Sequence, residues 1–175
     1  MSIDPVLKMV RASQNKNKHL VYNFQIIDYH AYIIRRLFGY GSSMKVMKIL
    51  FADDHPMIRT LVRKVLETEF PLGLFEEVKD GLALVESIRC GNWDVAITDI
   101  SMPVMNGLEA IRAIRSYSPT IPLVVLSSHT ESRYTRLAFE AGASGFVDKY
   151  KMHEDLGNAI RKVLDRVPAL NNFSL

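Results

Sequence analysis

A single cysteine, Cys90, stands among 175 residues, so an internal disulfide is excluded. No Cys/His cluster has the spacing of a zinc site. A reducing, cytoplasmic setting is therefore the natural expectation. No run approaches the ~20 apolar residues of a membrane span, so no transmembrane segment is expected. The first 20 residues include Asp4, Lys8 and Arg11 and lack an apolar core run, which argues against a secretory signal. Neither G-x-x-x-x-G-K-S/T nor G-x-G-x-x-G occurs, so the familiar glycine-rich phosphate cradles are missing.

What is present is an apolar fraction of 48%, enough for one globular domain plus an appendage. The net charge of +3 is unevenly spread. Residues 1–43 hold six Lys/Arg against Asp4 and Asp28, whereas the remainder holds 16 basic and 17 acidic residues. The basic character belongs to the N-terminal piece, and global charge gives no support to nucleic-acid binding.

From Met44 onward, short β-like runs alternate with amphipathic segments. Strands are predicted over Val46–Ala52, Leu74–Val78, Asp94–Asp99, Leu123–Leu126 and Gly145–Val147. The first helix opens at Asp54-His55-Pro56, with Asp54 as expected N-cap and proline where its missing N–H costs little. The second is capped by Asp80 and stopped at Gly91. Leu108, Ile111, Ala113 and Ile114 mark the third. Glu131–Ala141 forms the fourth, ending at Gly142, and His153–Val167 the last. Five β–α units of this kind predict a doubly wound α/β fold around a parallel sheet.

Ligands of open α/β sheets bind beyond the carboxyl ends of the strands. Those ends carry Asp53-Asp54, Asp99, Ser127-Ser128 and Asp148-Lys149. Each alone has a bland explanation: a helix cap, a turn residue, a solvated charge. Their joint placement on one edge does not. Three carboxylates within ~5 Å repel by about 3 kcal/mol per pair at an effective dielectric of 20. A hard cation such as Mg²⁺ relieves this and leaves a carboxylate oxygen free as a nucleophile. Charge on a transferring phosphoryl group would then be met by Mg²⁺, Lys149 and the Ser127 hydroxyl.

Four blocks carry a resemblance: Phe51-Ala-Asp-Asp-His-Pro, Thr98-Asp-Ile-Ser-Met-Pro-Val-Met-Asn-Gly107, Val124-Val-Leu-Ser-Ser and Gly142-Ala-Ser-Gly-Phe-Val-Asp-Lys149. In order and spacing over residues 45–167 they resemble response-regulator receiver domains of two-component systems. The Ala-Asp-Asp-His-Pro-Met-Ile-Arg and Gly-Ala-Ser-Gly-Phe blocks look most like receivers of LuxR-type transcription regulators. The resemblance implies a flavodoxin-like five-stranded sheet of order 2-1-3-4-5 with helices on both faces. It implies Asp99 as phosphoacceptor, and Asp53, Asp54, Asp99 and the Ser101 backbone carbonyl as Mg²⁺ ligands. Lys149 would pair with the phosphate, Ser127 and Phe146 would act as switch residues, and Ser128 would leave room for the phosphoryl group. Pro103 and Gly107 would shape the loop after the acceptor, and Ser101 and His129 would tune its rates. The implied partners are a sensor histidine kinase or phosphotransfer protein, and a second copy meeting through helix 4, strand 5 and helix 5. Tyr150 departs from the pattern, since many receivers have proline there, and this leaves the geometry of that loop open. The residues after the last helix are too few for a DNA-binding module.

The expected division is an extension over 1–43, a receiver over 44–170 and a tail over 171–175. Within the extension, Leu20, Phe24, Ile27, Ala31, Ile34 and Phe38 repeat at helical spacing across His19–Tyr40. A coiled dimerisation helix, a membrane-surface helix, a poorly ordered extension and translation begun upstream of the natural start are the open readings of that segment. Two other functions compete with the switch. A metal-dependent phosphohydrolase of the haloacid-dehalogenase type would carry an aspartate two residues after its nucleophile, where this chain has Ser101. A receiver-like interaction module without phosphorylation would not need Asp53, Asp54, Asp99, Ser127 and Lys149 together.

Overall fold

The computed structural model describes residues 46–166. The expected helix over His19–Tyr40 and the tail 171–175 lie outside the described residues. Among the described residues, five strands alternate with five helices: β1 (Lys48–Ala52), α1 (Pro56–Glu69), β2 (Leu74–Val78), α2 (Gly81–Cys90), β3 (Val95–Thr98), α3 (Gly107–Arg115), β4 (Leu123–Ser127), α4 (Ser132–Ala141), β5 (Gly145–Asp148) and α5 (Met152–Leu164). A 3₁₀ turn, Lys149–Lys151, joins β5 to α5. All strand pairs are parallel, in the order β2-β1-β3-β4-β5.

The order follows from composition. β3 and β4 are buried at every position, as a central parallel strand covered on both faces must be. β2 and β5 are only partly buried and take the edges. Alternation along β1 sends Ile49 and Phe51 to one face and Leu50 and Ala52 to the other. The first face packs with Val62 and Leu66 of α1 and Leu156 and Ile160 of α5. The second packs with Leu84 and Ile88 of α2, Ile111 and Ile114 of α3, and Ala138 of α4.

Local chemistry sets the helix ends. The Asp80 carboxylate accepts from the Ala83 N–H at 2.8 Å. Asn106 and Glu109 form a reciprocal capping box at the start of α3. Gly142 closes α4 at φ 106°, in the left-handed region that glycine enters without a side-chain penalty. α1 departs from expectation. Its N-cap is His55 and not Asp54, with no side-chain cap bond. The cause is local: Asp53 Oδ1 accepts the His55 N–H at 2.8 Å, turning the chain so that the helix starts at Pro56. The strand ends also shift by a residue or two, and the last helix runs Met152–Leu164 instead of beginning at His153 and reaching Val167.

The strand order turns back on itself between β1 and β3, which neighbour each other although β2 intervenes in sequence. At such a switch point the loops diverge to opposite faces and open a crevice. Asp53 and Asp99 are the first residues past those two strands.

Candidate functional site

Adjacent, in-register strands fix the two aspartates side by side. Ala52 pairs with Thr98, and the Asp99 N–H donates to the Ala52 carbonyl at 2.9 Å. The Asp53 N–H reaches across to the Val78 carbonyl of β2 at 3.2 Å. Both aspartates are buried. Lys149, at the end of β5, lays its Nζ 2.7 Å from Asp53 Oδ2 and 2.9 Å from Asp99 Oδ2. Three separate strand ends thus meet at one ammonium group.

Electrostatics here are set by burial and by this contact. Burial pushes the Asp99 carboxyl above the ordinary aspartate range; Lys149 and the Ile100 N–H, which donates to Asp99 Oδ1 at 2.7 Å, oppose the rise, and the charge of Asp53 adds to it. For Lys149, burial alone would lower the pKa, but the contacts and charges of Asp53 and Asp99 outweigh it and hold the amine above its usual value. The ammonium therefore stays charged between its two carboxylates.

Asp54 sits at the rim, with its Oδ1 2.9 Å from His55 Nδ1. Ligand atoms of Asp53, Asp54 and His55 fall within 4.8 Å of one another. Asp53 Oδ2 and Asp54 Oδ1 are buried yet lack a well-directed hydrogen bond; Lys149 Nζ lies 2.7 Å from the first and His55 Nδ1 2.9 Å from the second. Buried carboxylate oxygens with spare lone pairs suit a hard cation with oxygen ligands, so the residues present fit Mg²⁺.

The loop after Asp99 is tightly held. The Thr98 hydroxyl donates to the Asp99 carbonyl at 2.9 Å, and the Gly107 N–H to the Ile100 carbonyl at 2.9 Å. Val104 takes φ 66° at the exposed tip, bracketed by a 2.7 Å bond from the Met105 N–H to the Pro103 carbonyl. A β-branched residue there carries strain of about 1–3 kcal/mol. Ser101 Oγ lies 3.3 Å from His129 Nε2, which links this loop to the one after β4. Ser127 is fully buried, and its Oγ accepts the His129 N–H at 3.1 Å. Phe146 is half-buried on β5, paired in register with Val125 and packed against the α2–α4 core.

The open question at Tyr150 has a local answer. Asp148 Oδ1 accepts the Tyr150 N–H at 2.9 Å and closes the 3₁₀ turn, a bond proline cannot make. Two features were invisible in the sequence. His129 stacks on Tyr134 with centroids 4.6 Å apart. Arg59 reaches back from α1 to the Asp53 carbonyl at 2.8 Å while pairing with Glu77 of β2 at 3.1 Å. The run Asp-Asp-His-Pro-Met-Ile-Arg contained the arginine but gave no sign of its target.

Sheet order and the acidic cluster at the switch point define a receiver-type α/β fold. The response regulator receiver domain model matches residues 49–161, and the chain belongs to that family, the receivers of two-component systems. It is 31% identical over 118 residues to the response regulator UvrY of Escherichia coli, covering 67% of this chain and 54% of that protein. Against the glycerol metabolism activator of Pseudomonas putida it is 33% identical over 119 residues, again 67% of this chain and 54% of the other. The chain thus spans about half the length of the curated relatives it matches. Among solved structures, a LuxR-family two-component response regulator from an Aurantimonas species superposes with a TM-score of 0.65 at 29% identity, over 72% of this chain and 93% of that one. Among the described residues, no helix is long and apolar enough to cross a membrane.

Proposed function

We propose that this receiver is a phosphorylation switch with Asp99 as its phosphoacceptor. A sensor histidine kinase or phosphotransfer protein is the donor. An Asp99 carboxylate oxygen forms the new P–O bond as the P–N bond of the donor phosphohistidine breaks, its electron pair leaving on the imidazole. The observation that supports this reading is the contact of Lys149 with both Asp53 and Asp99, at 2.7 and 2.9 Å, just past the strand ends at the switch point.

Lys149 holds a fixed positive charge where the phosphoryl oxygens arrive, already oriented before transfer. Asp53, Asp54, Asp99 and the Ser101 carbonyl would hold Mg²⁺. Bound there, Mg²⁺ supplies the charge that lets carboxylates stand together and offsets that of an incoming phosphoryl group. Ser127 turns its hydroxyl from the His129 N–H towards a phosphoryl oxygen, and Ser128 leaves space beside it. Phe146 follows, shifting the α4–β5–α5 face, an element with two accessible states that the modification biases. The shifted face favours a homodimer or an output partner, with transcription in a longer or partner protein as the output. Ser101 and His129 tune how fast the phosphoryl group is gained and lost. The setting is cytoplasmic, and the receiver body comprises residues 44–170.

In this reading the chain assists its own phosphorylation and dephosphorylation and turns over no small phosphate ester. Incubation with p-nitrophenyl phosphate and Mg²⁺ checks this. Phosphate release is expected at the level of the protein-free blank. Sustained release that disappears in Asp99→Asn would instead make the protein a phosphohydrolase.

A further inference from the structure

We infer that Arg59 is a positioning residue for the acidic loop, setting how Asp53 and Asp54 present their carboxylates to a divalent cation. The inference rests on the proposed Mg²⁺ reading of those two residues. Its basis is the way the Asp53 peptide is held. The Asp53 N–H donates to Val78 of β2, and the Asp53 carbonyl accepts from Arg59 Nη1 at 2.8 Å. The Asp53 side chain accepts the His55 N–H at 2.8 Å. Among the described residues, the Arg59 bond is the one that fixes the plane of the peptide leading into Asp54.

Arg59 is itself anchored. Its Nε pairs with Glu77 Oε2 at 3.1 Å, and its side chain is 19% exposed. Glu77 projects from β2, the strand that also accepts the Asp53 N–H through Val78. A planar guanidinium can serve a carboxylate and a carbonyl at once with its rigid fork; an ammonium cannot reproduce that geometry. Arg63, one turn further along α1, provides a natural control. It pairs with the same Glu77 at 3.1 Å and lies near the Phe75 carbonyl, away from the acidic loop.

The signs of two competing effects differ. If Arg59 acted only as a nearby positive charge, it would repel a cation, and removing it would tighten Mg²⁺ binding. If it orients the loop, loss of its fork weakens binding. Groups that orient metal ligands through hydrogen bonds typically matter by about 10–100-fold in affinity.

The experiment is Mg²⁺ titration of the whole chain by amide NMR and calorimetry, comparing wild type with Arg59→Lys, Arg59→Gln and Arg63→Lys. Arg59→Lys keeps the charge and is expected to bind Mg²⁺ about tenfold more weakly. Its Asp54 and His55 amide signals should shift even without metal. Arg59→Gln, which loses the charge as well, is expected to bind more weakly too, and Arg63→Lys to stay within about twofold of wild type. Thermal melts establish that each variant is folded. Wild-type affinity in Arg59→Lys, tighter binding in Arg59→Gln, or equal weakening in Arg63→Lys overturns the inference while leaving the metal reading intact. A wild-type protein with no Mg²⁺ response removes the metal reading and this inference together.

Discussion

Replacing Lys149 with methionine is expected to lower the unfolding free energy by about 3 kcal/mol in metal-free buffer. The ammonium is 11% exposed and touches two carboxylates of which 3% and 6% is exposed. Methionine keeps the stem and removes the charge, which leaves two buried carboxylates facing each other without a cation between them. Breaking a buried pair from one side costs far more than the pair contributes, because the remaining charge has already lost its water. For a domain of this size the loss corresponds to a fall in melting temperature of roughly 10 °C. Added Mg²⁺ should recover more stability in the variant than in wild type, since it supplies the missing positive charge. Phosphorylation by a small donor should slow by about 10²–10³-fold, the scale for removing one preorganised charge beside a reacting group. Differential scanning calorimetry with and without Mg²⁺ reads the first effect, and a time course of phosphorylation reads the second. An unchanged melting temperature would show that the carboxylates do not depend on this lysine.

Gly107→Ala carries the second large effect. A Cβ at this position would collide with the Asp99 carbonyl oxygen and lie 3.0 Å from Thr98 Oγ1. Its first obstacle is the Asp99 backbone, so no rotamer change can make room. Either α3 must start elsewhere or the Asp99 peptide must move. The expected cost is at least about 3 kcal/mol, at the upper end for overpacking. A control separates this clash from the general loss of a glycine. At Gly145 the nearest atom to a new Cβ is the Val163 Cγ1 at 3.2 Å, followed by Val124 at 3.7 Å. Gly145→Ala is expected to stay within about 1 kcal/mol of wild type. Urea denaturation of the two variants decides the matter. A Gly107→Ala protein as stable as Gly145→Ala would mean that the loop after Asp99 is softer than its hydrogen bonds imply.

The sheet was legible because its central strands are short, apolar and bounded by polar residues. Val95–Thr98 and Leu123–Ser127 are buried at every position, as central strands covered on both faces are. The candidate site was legible for a related reason. Its residues stand where strands stop, and the switch point in a doubly wound sheet collects those ends without regard to the helices between them.

What escaped the sequence depends on contacts between distant segments or on competition among nearby ones. Asp54 reads as a helix cap by pattern, but the Asp53 side chain captures the His55 N–H and delays the helix to Pro56. Nothing in the sequence marks a target for Arg59. Only the pairing of β1 with β2 brings Glu77 beside it and turns its fork towards Asp53. The Tyr150 loop could not be read from a departure at one residue, because the bond that closes it comes from Asp148 two positions earlier. The aromatic stack of His129 on Tyr134 likewise needs the turn from β4 into α4 before the two rings can meet.

The central claim is that Asp99 accepts a phosphoryl group in a Mg²⁺-dependent reaction. Intact-mass analysis after incubation with acetyl phosphate, beside Asp99→Ala and a chelator-treated sample, tests it most directly. The account predicts a gain of one phosphoryl mass per chain in the wild-type protein with Mg²⁺ and none in the other two. A gain that persists in Asp99→Ala, or that is indifferent to the chelator, would contradict it.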